Sequence, residues 1–251
     1  MPATLAPRLG AKRAIAAIII FVIADLVFQL IAVVSSTVAV ALLGDNAPQA
    51  SVSKLMSEFA VAMFVLGGVL FAALEIALIR FWIPFWFADQ GPLGFGPTRL
   101  PRKQIVVSFA TGILAGLACL FLTTVVLPTP SSSQINPLWE LLRIDMAARI
   151  AWAFSALVIY PPVYEVFFRG ILLKGFTESW GLIPASVAVT LITVAMQFTD
   201  IMRYWPSVIA LTIAAVGTLL IRLQSGSVLA AILFNVAYNV VTVVYIVAKT
   251  A

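Results

Sequence analysis

Histidine is absent from all 251 residues of this sequence. Its absence removes the commonest general base and the commonest metal ligand near neutral pH. HExxH zinc chemistry and a Ser–His dyad are excluded with it. There is a single cysteine, Cys119, inside an apolar run, so neither an internal disulfide nor a cysteine metal cluster can form. Charge is scarce as well. Asp, Glu, Lys and Arg make up 10% of the chain, against roughly 25% in soluble domains. Too few charges remain to cover a water-facing surface of this size, and no fixed-period repeat, low-complexity tract or soluble domain is present.

Apolar residues are abundant instead, at 63%, and the mean hydropathy is +1.11. Lipid must solvate most of this chain. The fold class expected is all-α, a polytopic transmembrane bundle. The net charge is +5, but the basic residues lie in small groups between apolar runs. Nucleic-acid binding needs a basic stripe with aromatic platforms, which this arrangement does not provide.

A membrane helix needs about 20 mainly apolar residues, and about seven such spans are expected. The first runs from about Ala14 to Leu43, interrupted by Asp25 and Gln29. It exceeds the roughly 7–15-residue apolar core of a secretory signal and so reads as a retained helix. The second covers about Phe59 to Trp82, with Glu75 and Arg80. The third covers about Ile105 to Leu127 and carries Gly112 and Gly116 as a GxxxG pair, which permits close helix packing. Pro128 to Asp145 reads as a polar connection, with Leu138 to Ile144 in the interface beside Trp139. In the fourth, Ala147 to Tyr160 meets Pro161 and Pro162 and resumes as Val163 to Phe176; paired prolines kink or break a helix. The last three are about Leu182 to Phe198, Trp205 to Leu223 and Val228 to Ala248. Pro/Gly-rich loops divide a three-span front unit, residues 1–146, from a four-span core, residues 147–251.

The basic residues set an orientation. With the N-terminus inside, that side collects Arg8, Lys12, Arg13, Arg80, Arg99, Arg102, Lys103, Arg169, Lys174 and Arg222. Lys54, Arg143, Arg149, Arg203 and Lys249 stay outside. This bias predicts a multi-pass cell-membrane protein with a cytoplasmic N-terminus.

Ionisable groups inside a membrane cost about 2.5–3.5 kcal/mol each on insertion scales, so they are candidate functional groups. Asp25, Glu75, Glu165 and Arg169 qualify. Glu165 and Arg169 are four apart on one helical face, which fits either an internal ion pair or a polar pocket. Asn235 and Asn239 share a face in the same way, and Gln197 closes the fifth span. Amides at such positions also act as interhelical glue.

Pro162-Val-Tyr-Glu-Val-Phe-Phe-Arg-Gly-Ile-Leu-Leu173 resembles the first motif, EExxxR, of the CAAX protease and bacteriocin-processing (CPBP, or Abi) family. Thr193-Val-Ala-Met-Gln197 stands where that family has FxxxH, and Asn235-Val-Ala-Tyr-Asn239 where it has HxxxN. The lead-in Arg222-Leu-Gln-Ser-Gly-Ser-Val228 is similar too. The likeness covers about Ala147 to Ala248 and implies an intramembrane glutamic or metallo-endopeptidase fold. Arg169 and Asn239 keep their motif identities, and Glu165 matches the second glutamate. Tyr164 replaces the water-activating first glutamate, Gln197 and Asn235 replace the two histidines, and Thr193 replaces the motif phenylalanine.

Tyrosine, with an ordinary pKa of about 10, is a poor base at pH 7. Amides do not titrate and bind zinc weakly beside imidazole. Glu165, turned about 100° from Tyr164 on the helix, is expected to point away from the lost base position. The resemblance with these losses implies a catalytically degenerate homologue, with no metal and no cofactor. Such a protein binds or scaffolds a membrane protein, a peptide or a lipid-modified ligand in the bilayer. The alternatives are an active endopeptidase using Glu165, with Gln197, Asn235 and Asn239 as orienting groups, and a solute or proton-coupled transporter using Asp25, Glu75 and Glu165.

Overall fold

The computed structural model describes residues 10–43, 99–127 and 146–250, with a few further positions between 55 and 77. Most of the expected second span, Glu75 and Arg80 included, and the Pro128 to Asp145 connection with Trp139 lie outside the described residues. Among those residues the chain is helical with no strand, as the apolar runs require. The helices are α1 (Gly10–Leu43), α2 (Arg102–Val126), α3 (Met146–Trp180), α4 (Leu182–Ala195), α5 (Phe198–Arg203), α6 (Ser207–Ser225) and α7 (Val228–Thr250).

Four of them, α2, α3, α6 and α7, are long and apolar enough to cross a bilayer. α4, expected as a full span, has 14 residues, about 21 Å at 1.5 Å per residue, which falls short of a hydrocarbon core about 30 Å thick. It ends early because the backbone turns at Met196 and Gln197, where the Gln197 N–H donates to Val194 O at 3.1 Å.

The proline pair does not break α3. The helix runs for 35 residues and widens to π geometry at Ser155–Ile159 and again at Val166–Leu172. A widened turn accommodates the proline ring and the missing N–H without ending the helix.

α1 docks antiparallel on α3. Its inward face follows helical spacing: Ala14 and Ala17 are fully buried, and Phe21 stacks on Phe167 with ring centroids 4.3 Å apart. Ile15, Ile19, Ile23 and Leu26 are exposed on the opposite side, where lipid would solvate them. No acidic residue lies in the first turn of α1, and the far end of α3 supplies what its N-terminus needs. The Gly10 N–H donates to Glu178 Oε2 at 2.9 Å, and the Ala11 N–H donates to Ser179 Oγ at 2.8 Å. Glu178→Ala is therefore expected to cost about 0.5–2 kcal/mol, as loss of a helix cap does. Faster amide exchange confined to the first turn of α1 would register it, and unchanged exchange at Gly10 and Ala11 would contradict it.

α2 and α7 run parallel and touch along the GxxxG pair. A side chain at Gly112 would meet Phe234 O and the Ala237 Cβ, and one at Gly116 would lie 3.0 Å from Tyr238 O. The motif is thus used within the chain. α3 is antiparallel to α7, since Glu165 meets Asn235 while Ala156 meets Asn239. α1 and α2 consequently run in the same sense, as first and third crossings do.

The basic residues separate into two kinds. Lys12, Arg13, Arg99, Arg102 and Lys103 are exposed. Arg169, Lys174 and Arg222, counted above on the inside, are buried at 2%, 2% and 0% exposure. Buried within α3 and α6, those three are packing groups rather than loop charges.

Candidate functional site

The site forms where the middle of α3 passes α6 and α7. Two residues with a four-residue spacing begin it. Glu165 and Arg169 are 1% and 2% exposed, with Glu165 Oε2 at 3.3 Å from Arg169 Nε. That contact brings the charges together without hydrogen-bond alignment. The other carboxylate oxygen, Oε1, accepts a hydrogen bond from Asn235 Nδ2 at 2.7 Å. Arg169 Nη2 donates to the Ala215 carbonyl of α6 at 2.7 Å.

α6 returns that contact. Arg222, fully buried, donates from Nε to the main-chain oxygen of Arg169 at 3.3 Å. The two arginines clasp each other's helices through backbone carbonyls, and the acceptor on α3 lies in its second π segment. A widened turn weakens the regular hydrogen-bond ladder, and π segments recur at functional positions for that reason. The sequence marks Arg222 as part of a lead-in and as one of the inside charges. Its signal was a lone cation in the apolar run of α6, but its partner is a main-chain atom that no side-chain pattern announces.

Tyr164 faces another way. Its ring stacks near Phe168 at 5.9 Å and lies 6.1 Å from Tyr160 and 6.3 Å from Phe21 of α1. Asp25, one turn after Phe21, lies close enough to Tyr160 for the two to interact electrostatically. Glu165 and Tyr164 thus face apart, as expected from their spacing, yet Glu165 meets another motif position, Asn235. The rotation of about 100° per residue carries Tyr164 toward the aromatic contact with α1 and Glu165 toward Asn235 of α7.

The other motif positions are spread out. Asn239 Nδ2 donates to the Ala156 carbonyl at 2.9 Å, more than two turns of α3 away from Glu165. Gln197 sits half-buried at the end of α4. Among the described residues no hydrogen bond joins its side chain to Glu165, Arg169, Asn235 or Asn239. Thr193 Oγ1 turns back to its own helix and donates to Val189 O at 2.7 Å. The structure thus brings together Glu165, Arg169 and Asn235, and adds Arg222.

Zinc does not fit this arrangement. One carboxylate oxygen of Glu165 is taken by an amide donor and the other faces a guanidinium. Among the described residues no group of three His, Cys, Asp or Glu side chains converges. A general base must reach a water molecule by hydrogen bond, and Glu165 presents no exposed oxygen to do so. What the arrangement does chemically is hold a charge pair in an apolar interior and lock α3, α6 and α7 together. Glu165 Oε1 and Arg169 Nη2 are hydrogen-bonded to neighbouring helices, while Oε2 and Nε meet through charge alone.

Compared with known families, residues 146–241 match the family model described as type II CAAX prenyl endopeptidase Rce1-like. No curated protein and no solved structure matches the chain.

Proposed function

Since residues 146–241 place this membrane protein in the family of Rce1-like type II CAAX prenyl endopeptidases, we propose that it is a catalytically degenerate member, acting by binding rather than by cleavage. One observation carries the reading. The only carboxylate of the first motif, Glu165, is 1% exposed and already held by Asn235 and Arg169. The residue beside it, at the position of the family's water-activating glutamate, is a tyrosine packed among aromatic rings.

The ligand is a membrane protein, a peptide or a lipid-modified segment that enters from the bilayer. The protein resides in the cell membrane with its N-terminus cytoplasmic. Exposed Lys12, Arg13, Arg99, Arg102 and Lys103 at the starts of α1 and α2 support that orientation.

Purified protein in nanodiscs is expected to hydrolyse neither prenylated CAAX peptides nor a membrane-peptide library, with or without added zinc. Cleavage at enzymatic rates that disappears in Glu165→Gln would instead establish an active endopeptidase using Glu165. That second reading has one observation in its favour, the contact between Glu165 and the motif position occupied by Asn235.

A further inference from the structure

Asn239 is the one amide that keeps its motif identity, and its contact gives it a different task from handling substrate. In a regular helix the Ala156 carbonyl would accept from the Tyr160 N–H, but the π turn diverts that donor to Ser155 O. In π register the next donor in line for Ala156 O is residue 161. That residue is proline, which has no N–H. The Ala156 carbonyl is therefore left without a backbone donor by the covalent chemistry of position 161. Asn239 Nδ2 of α7 reaches it at 2.9 Å.

We infer that Asn239 is a positioning residue that stands in for the missing N–H of Pro161 and so fixes the π turn of α3 directly before the Tyr160–Glu165 segment. Each part follows from the surroundings. A main-chain carbonyl unpaired in an apolar interior is costly, so an α3 carrying Pro161 needs a donor from a neighbouring helix. Asparagine has two N–H donors on a short side chain, enough to serve a carbonyl on the adjacent helix. Asn235, one turn earlier on the same face of α7, holds Glu165. The two amides thus pin α3 at both ends of Tyr160–Glu165, Asn239 through the backbone and Asn235 through a side chain. A degenerate protein retains Asn239, on this account, because its own α3 retains Pro161. The inference is independent of whether any peptide is cleaved.

A double-mutant cycle on the full chain in nanodiscs tests it. Asn239→Ala is expected to lower the thermal midpoint by about 2–10 °C, the range for a buried acceptor left unpaired. In a Pro161→Ala background the same change is expected to lower it by less than half as much. There a backbone N–H serves the Ala156 carbonyl whether the turn stays π or relaxes to α. Equal losses in both backgrounds, or no loss in the first, would overturn the inference. Should Pro161→Ala fail to fold, the Ala156 carbonyl reports directly. With 13C-carbonyl alanine and 15N-leucine, and Ala156→Gly to assign the Ala156–Leu157 pair, its resonance is expected to move upfield in Asn239→Ala. A resonance that stays in place would sink the proposal.

Discussion

Glu165→Ala is expected to destabilise the fold by about 3–5 kcal/mol, the range for removing one partner of a buried ion pair. The substitution leaves Arg169, 2% exposed, facing an apolar side chain, and takes the acceptor from Asn235 Nδ2. Glu165→Gln is expected to fall between the two. It can still accept from Asn235 but offers Arg169 a neutral group. Glu165→Leu combined with Arg169→Met is expected to recover most of the loss, because apolar residues of similar volume often replace a buried pair at little cost. The recovery will be partial, since Arg169 also donates to the Ala215 carbonyl. Thermal unfolding in nanodiscs measures all three. Wild-type stability in Glu165→Ala would mean that the carboxylate is not held as described. The result also bears on any assay of function: loss of a cellular role in Glu165→Ala reports folding first, and Glu165→Gln is the variant that addresses chemistry.

Gly112→Ala carries the second large effect. The added Cβ would meet the Phe234 carbonyl oxygen and lie 2.8 Å from the Ala237 Cβ. Neither is the flexible end of a side chain, so relief requires α2 and α7 to separate. Overpacking of this kind costs about 1–3 kcal/mol, and Gly112→Leu is expected to exceed it. The displacement would propagate, because Phe234 adjoins Asn235, whose amide holds Glu165. A lipid-facing control on the same helix, Leu114→Ala at 65% exposure, is expected to stay within about 0.5 kcal/mol. Comparable losses at Gly112 and Leu114 would contradict the close α2–α7 packing. Dimer formation, the other use of a GxxxG pair, has no part in the expected effect.

Much was legible before any coordinates. Apolar runs of membrane length and the scarcity of charge gave an all-helical membrane protein, because hydropathy and helix length are local properties. Glu165 and Arg169 were expected to share a face, and they pair, since a four-residue spacing holds in any helix. Local rules also stopped short. Proline chemistry left a break at Pro161 open, whereas a widened turn carries α3 through it. Lys174 and Arg222 enter the orientation tally as inside charges although both are buried, because sequence alone does not say which charges are buried.

The sequence by itself determined that imidazole is unavailable, that α3 lacks a backbone donor at position 161, and that only one carboxylate stands in the first motif. These are covalent facts, independent of how the chain packs. Tertiary structure alone decided which way that carboxylate faces and who holds it. Rotation about α3 turns Tyr164 toward α1 and Glu165 toward Asn235. The partners of Arg169, Arg222 and Asn239 are main-chain carbonyls on other helices. Every residue carries such a carbonyl, so no pattern of side chains marks the ones that packing brings within reach.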